Sequence, residues 1–193
     1  MRSCNEIEIS VDRGVYEPAE DSMLMIEALE VGGGDVVLEV GCGSGIIALN
    51  CAKAGAKVTA TDVSTEAIDC TRKNAERNGL KVRLIRSDLL GTVEGEFDII
   101  VFNPPYLPKG EGDDQRWTGG VTGLETTLAF LRECRRHLSP GGGIYTIVSS
   151  LAGAKGFETA AEEMGYDHEV VLRRKSFFEE LSVYRLRSMA AER

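Results

Sequence analysis

The sequence predicts an α/β fold, a mostly parallel sheet with helices on both faces, and three observations predict it. Short apolar segments alternate with segments of helical spacing along most of the chain. Phe97-Asp98-Ile99-Ile100-Val101-Phe102 has the near-continuous apolar character of a strand at the centre of a parallel sheet. Val36-Val37-Leu38-Glu39-Val40 runs directly into the turn Gly41-Cys42-Gly43-Ser44-Gly45, where glycines let the backbone bend sharply into a helix.

The elements follow in order. Tyr16-Glu17-Pro18 opens a helix whose first turn carries Glu20 and Asp21, as the macrodipole favours. Val36–Val40 is the first strand and residues 46–54 the helix after it. Residues 57–61 form a second strand, stopped by Asp62. Ser64 caps a helix that ends at Asn78-Gly79, with Arg72, Lys73 and Arg77 near its C-terminus. Residues 81–85 form a third strand, an edge in this topology, with Val82 and Leu84 on one face and charges on the other. Phe97–Phe102 is the fourth. Leu124, Leu128, Leu131 and Leu138 recur at helical spacing and predict a helix ended by Pro140-Gly141. Residues 143–149 form a fifth strand, 156–164 a helix, and 170–174 with 181–186 a closing pair of strands.

With 193 residues, 42% of them hydrophobic, the chain has the size of one domain with a sizeable core. Its 22 basic and 31 acidic residues give a net charge of −9, which argues against a nucleic-acid partner and suits a basic protein. No apolar run approaches the ~18 residues of a membrane-spanning helix, and Met1–Glu6 lacks a signal-peptide core, so a cytoplasmic protein is expected. The cysteines, Cys4, Cys42, Cys51, Cys70 and Cys134, are odd in number and contain no C-x-x-C pair. Buried reduced thiols are expected rather than disulfides or a zinc site. With only His137 and His168, a multi-histidine metal centre is excluded.

In such sheets ligands bind beyond the carboxyl ends of the strands. Gly43-Ser44-Gly45-Ile46-Ile47-Ala48 fits the G-x-G-x-x-A form of a dinucleotide turn, and equally a plain structural turn. Asp62 follows about twenty residues later, where an acid takes ribose hydroxyls; helix capping is the alternative. Asp88, in Arg86-Ser87-Asp88-Leu89, closes the third strand. Glu39 discriminates between cofactors: its carboxylate would repel a pyrophosphate and attract a cationic amino-acid end. S-adenosyl-L-methionine, with an ammonium, a sulfonium, a ribose and no phosphate, fits better than NAD.

Asn103-Pro104-Pro105-Tyr106 is the most specific motif. Two prolines after an apolar strand fix the chain, so that the Asn103 side chain and the Pro104 carbonyl can accept hydrogen bonds from a planar NH2 group. Tyr106 can hold that plane and favour a nearby sulfonium through its ring face. A rigid turn with a surface tyrosine is the plain alternative.

These residues resemble the N-P-P-Y methyltransferases, class I enzymes that methylate exocyclic amino or amide nitrogens. The chain is similar above all to the archaeal and eukaryotic HemK-type release-factor glutamine methyltransferases. Val15-Tyr16-Glu17-Pro18-Ala19-Glu20-Asp21-Ser22, and Arg116-Trp117-Thr118-Gly119-Gly120 through Leu138-Ser139-Pro140-Gly141, carry that similarity from about residue 15 onward. The resemblance implies a Rossmann-like, mostly parallel seven-stranded sheet with a C-terminal antiparallel strand. It implies one methyltransferase domain over 1–193, with 1–34 a covering segment and first helix.

The resemblance further implies that Glu39, Gly41 and Gly43 line the methionine end of the cofactor, Asp62 takes the ribose, and Asp88 and Leu89 meet the adenine. Ser22 stands near the cofactor carboxylate. Tyr16, Pro18 and Glu20 form a wall of the active site, and Asn103, Pro104, Pro105 and Tyr106 hold the target amide beside the cofactor. Trp117 is a candidate substrate contact or the aromatic of a surface loop. The implied substrate is the glutamine of the Gly-Gly-Gln loop of a class 1 release factor, and the implied partner a small zinc-binding activator subunit, for which the strand-three edge is a candidate surface. In the mechanism expected, Asn103 Oδ1 and the Pro104 carbonyl aim the amide nitrogen at the methyl group, with no base required. A DNA adenine-N6 methyltransferase, an NAD-dependent oxidoreductase and a non-catalytic binding protein are the competing readings. Net charge opposes the first, and Glu39 with the absence of a proton-donor motif opposes the second.

Overall fold

The computed structural model describes residues 7–106, 120–176 and 178–189; Cys4 and Trp117 lie outside them. Seven strands among the described residues form one sheet: β1 (Val36–Val40), β2 (Lys57–Asp62), β3 (Val82–Arg86), β4 (Phe97–Phe102), β5 (Leu138–Ser149), β6 (Tyr166–Lys175) and β7 (Glu180–Ser188). Their order is β3-β2-β1-β4-β5-β7-β6, with β4 in the middle. β3, β2, β1, β4 and β5 pair in parallel, and β7 runs antiparallel between β5 and β6. The predicted class, including the antiparallel C-terminal strand, is the observed one, and β3 is an edge with Lys81, Arg83 and Arg86 exposed.

The helices are α1 (Glu20–Ala28), α2 (Ile46–Lys53), α3 (Thr65–Arg77), α4 (Glu125–Cys134) and α5 (Ala154–Glu163). The period-2 alternation of the strands divides the core. Val37, Ile99, Val101, Tyr145 and Ile147 pack with residues of α1, α2 and α3. Leu38, Ile100, Phe102, Ile144 and Val148 pack with Phe130 and Leu131 of α4 and Phe157 of α5. Such continuous burial of β4, from Ile99 to Phe102, is why its sequence lacks a polar face.

One predicted element is corrected. The helix expected to run through Leu138 to Pro140-Gly141 stops at Cys134, continues as one 3-10 turn over Arg135–His137, and gives way to β5 at Leu138. Leu138 pairs with Phe97 and Gly143 with Ile99, so between these pairs one residue of β4, Asp98, faces four of β5. Pro140-Gly141 therefore sits in a bulge. The close approach of β4 requires Gly142: a Cβ there would lie 2.9 Å from the Asp98 carbonyl oxygen. Helical spacing carried Leu138 into the helix because strand and helix both bury that leucine.

The chain order reverses between β1 and β4, which creates the crevice where ligands bind in open α/β sheets. Val40 is paired with Phe102, so Gly41 and Asn103 leave adjacent strand ends side by side.

Candidate active site

The glycine turn is held from beneath by β2 and α3. Cys42 N–H donates to the Thr61 carbonyl at 2.9 Å and Gly43 N–H to Asp62 Oδ2 at 3.0 Å. Thr71 Oγ1 donates to the Gly43 carbonyl at 3.0 Å, and Asn74 Nδ2 to the Ser44 carbonyl at 2.9 Å. Gly45 has φ +82°, and a Cβ there would lie 2.6 Å from Thr71 Cγ2, so both conformation and space require glycine. Above the turn passes the N-terminal segment: a Cβ on Gly43 would come within 4.0 Å of Tyr16 Cβ.

Three acids stand at the ends of adjacent strands. Glu39 is 2% exposed on β1, and its Oε2 accepts from Ala48 N–H of α2 at 2.9 Å. Burial pushes its carboxyl well above the usual range; the Ala48 N–H opposes this and the nearby Asp62 charge adds to it. Asp62 ends β2 and, through Oδ1, also accepts from Ser64 N–H at 2.9 Å. Asp88 is exposed just beyond β3. Its neighbour Leu89 has φ +44°, a left-handed conformation that costs an L residue about 1–2 kcal/mol.

The Asn-Pro-Pro-Tyr segment leaves β4 opposite α1, and the two meet on Asp21. Asp21 is 3% exposed. Its carboxylate accepts from Tyr16 Oη at 3.0 and 3.1 Å, from Ser22 N–H at 2.6 Å, and from Asn103 Nδ2 at 3.0 Å; Tyr106 Oη stands at 3.5 Å. Burial, then the Asp21 charge, raises both phenols far above the ordinary range, so both remain donors at any physiological pH. Asn103 Oδ1 is buried and has no hydrogen-bond partner among the described residues. That is a costly state for a polar atom unless something else comes to it. Alongside, Ala19, Glu20, Asp21, Tyr106, Arg174, Ser176, Glu179 and Leu181 line a cavity of about 260 Å³.

Comparison with known proteins shows the family. The family model described as "Methyltransferase small domain" matches residues 7–178. The chain belongs to the methyltransferase small domain family.

Within that family it is 37% identical over 184 residues to a protein of Methanocaldococcus jannaschii named as a putative protein N5-glutamine methyltransferase, covering 92% of this chain and 93% of that one. It is 34% identical over 191 residues to the methyltransferase HEMK2 of Mus musculus, covering 90% and 89%. Among solved structures it is similar to the Mtq2–Trm112 complex of E. cuniculi, described as responsible for methylation of the eRF1 translation termination factor. There the TM-score is 0.75 at 29% identity, over 90% of this chain and 98% of that chain. The HemK-type resemblance read from the sequence, and with it the expectation of a methyltransferase, is therefore matched.

Of the residues singled out from the sequence of this methyltransferase, Glu39, Gly41, Gly43 and Asp62 gather around one turn. Tyr16, Ser22, Asn103 and Tyr106 gather around one carboxylate. Glu20 lines the neighbouring cavity, Pro104 is buried, and Pro105 and Pro18 are half-buried. Cys42, Cys51, Cys70 and Cys134 are buried free thiols, and burial pushes that of Cys51 up to about 12. Asp21 was missed as a site residue, as were Thr71, Asn74 and Glu179. A signal for Asp21 existed: with Leu24, Met25 and Ala28 it falls on one face of α1, an acid in register with an apolar stripe.

Proposed function

We propose that this methyltransferase transfers a methyl group from S-adenosyl-L-methionine to a glutamine side-chain amide, that of the Gly-Gly-Gln loop of a class 1 release factor. The observation that carries the reading is Asn103 Oδ1, a buried acceptor just past the end of the central strand that has no partner among the described residues. A planar amide NH2 is what satisfies it. The acidic residues suit the proposed cofactor, which is cationic at its methionine end and carries no phosphate. Glu39, with Gly41 and Gly43, would hold the ammonium end and Asp62 the ribose. Asp88 and Leu89 would hold the adenine, and Ser22 the carboxylate. When bound, the cofactor supplies an electrophilic methyl group on sulfonium.

The chain's own residues do the rest. An amide nitrogen is a weak nucleophile because its lone pair is delocalised into the carbonyl. Asn103 Oδ1 and the Pro104 carbonyl accept its two N–H groups, fix its direction, and hold it more strongly as positive charge develops. Tyr106 packs against the amide plane, and Tyr16, Pro18, Glu20 and Pro105 wall the pocket. A small zinc-binding activator subunit is the proposed partner at the β3 edge, where Val82 and Leu84 are half-buried and no strand among the described residues lies beside the outer backbone.

The test is methyl transfer from labelled S-adenosyl-L-methionine to release factor, to its Gly-Gly-Gln→Gly-Gly-Ala variant, and to duplex DNA, each with and without activator. Label on the wild-type factor alone supports the reading. Label on DNA would replace the substrate and keep the Asn103 chemistry, since adenine also presents a planar NH2. No label under any condition would sink it.

A further inference from the structure

Asn103 has an amide whose two ends are nearly the same shape, yet the proposed chemistry works only if the oxygen faces the substrate. We propose that Asp21 is the positioning residue that sets this orientation, and that through it the site selects hydrogen-bond donors over acceptors. The inference rests on the amide-methylation reading above.

The argument is one of donor and acceptor identity. An ionised carboxylate only accepts. Asp21 is surrounded by donors: Tyr16 Oη, Ser22 N–H and Oγ on Oδ1, and Asn103 Nδ2 and Tyr106 Oη near Oδ2. The Asn103 amide can present only its NH2 group to such a neighbour, because a turned amide would set oxygen against oxygen at about 3 Å. Oδ1 is thereby directed to the other side, where it is buried and has no partner among the described residues. The site then offers an incoming side chain an acceptor. A glutamine amide satisfies it, while a glutamate carboxylate brings a second acceptor and a charge. This is the type of buried polar mismatch that enzymes use to discriminate strongly. Asp21 belongs to α1, 82 positions from Asn103, so the first helix controls the chemistry of the fourth strand's exit.

The test compares wild type, Asp21→Asn, Asn103→Ala and the double variant. Turnover on release factor, calorimetric affinity for S-adenosyl-L-methionine, and melting temperature are measured for each. Asp21→Asn is isosteric and lets the Asn103 amide turn. It should lower kcat about 30-fold or more, with cofactor affinity within about threefold. The double variant should be no slower than Asn103→Ala, because Asp21 acts through Asn103. An Asp21→Asn enzyme within threefold of wild-type kcat, or a double variant slowed by the product of the two single effects, would overturn the inference. A substrate-free measurement separates this from the substrate reading. In a 15N spectrum of the wild type, one Asn103 side-chain amide proton should be protected from solvent exchange, and Asp21→Asn should lose most of that protection. Protection that is absent, or that survives the substitution, counts against Asp21 even if release factor is methylated. Protection present and lost supports Asp21 even if release factor is not the substrate.

Discussion

Ser10 and Asn74, 64 positions apart, exchange a reciprocal pair of hydrogen bonds. Ser10 N–H donates to Asn74 Oδ1 at 3.0 Å, and Asn74 Nδ2 donates back to the Ser10 carbonyl at 2.9 Å. One turn later Asn78 does the same with the backbone of Glu8, at 2.9 and 2.8 Å. Asn74 on α3 and Asn78 at its C-cap, four positions apart, thus pair with alternate residues of the N-terminal strap, as a neighbouring strand would. Because Asn74 also donates to the Ser44 carbonyl, one buried side chain joins the strap to the glycine turn.

Asn74→Ala leaves the Ser10 N–H and carbonyl, both part-buried, and the buried Ser44 carbonyl short of a partner. It should cost about 2–4 kcal/mol in urea unfolding, given ~1–3 kcal/mol for each buried group left unsatisfied and partial rescue by water. Proteolysis within residues 7–15 should become faster, and KM for the cofactor should rise. Unchanged proteolysis would show that the strap is held by other contacts.

Asn103→Ala removes the unpartnered acceptor and leaves the glycine turn intact. The expectation is a fall in kcat of about 10²-fold or more with cofactor affinity within about threefold, read by single-turnover methyl transfer and calorimetry. A loss of cofactor binding as large as the loss of turnover would place Asn103 on the cofactor instead.

Glu39→Gln separates stability from function. The folded protein raises the Glu39 pKa, so it holds this proton more tightly than the unfolded chain. Stability from this group is therefore lost as pH rises above the unfolded value of about 4.5 toward the folded one. A glutamine, neutral throughout and still able to accept from Ala48 N–H, should melt higher than wild type at neutral pH. Cofactor affinity should run the other way. A cationic ligand needs the carboxylate, so wild-type affinity should weaken as pH falls through an apparent pKa above the usual carboxylate range, by about tenfold per unit below it. In Glu39→Gln that pH dependence should vanish along with most of the affinity.

Gly45→Ala places a methyl group in a left-handed residue 2.6 Å from Thr71 Cγ2. Thermal unfolding should show a loss of about 2–4 kcal/mol. Adding Thr71→Ser removes that methyl while keeping the hydroxyl that donates to the Gly43 carbonyl, and should restore part of the loss. No recovery would mean that the Thr71 methyl is not what excludes alanine, leaving φ and the 2.9 Å approach to Thr71 Oγ1.

The strands and helices around the crevice were legible in the sequence because each is specified locally. Ser64 accepts from Ala67 N–H as the capping pattern requires, and β1 and β4 begin and end where their apolar runs do. Leu138 was misplaced because one leucine satisfies a 3.6-residue and a 2-residue period alike. What removes the ambiguity is a pairing with Phe97 that lies 41 positions earlier in the chain.

The site divides along the same line. Glycines, strand-end acids and Asn-Pro-Pro-Tyr announce themselves by residue type and by position after an apolar run, so the sequence by itself determined the fold class, the crevice and most of its lining. Only the tertiary structure decided that Asp21 carries the network. A first-turn acid is ordinarily explained by the helix dipole. Its role here comes from donors at Tyr16, Asn103 and Tyr106, spread over 90 positions and brought to one carboxylate by the packing of α1 beside the exit of β4. Local preference writes the elements. Which buried acceptor faces which donor is set by non-local contact, because satisfying a buried polar group depends on everything within about 3 Å of it and on nothing else in the chain.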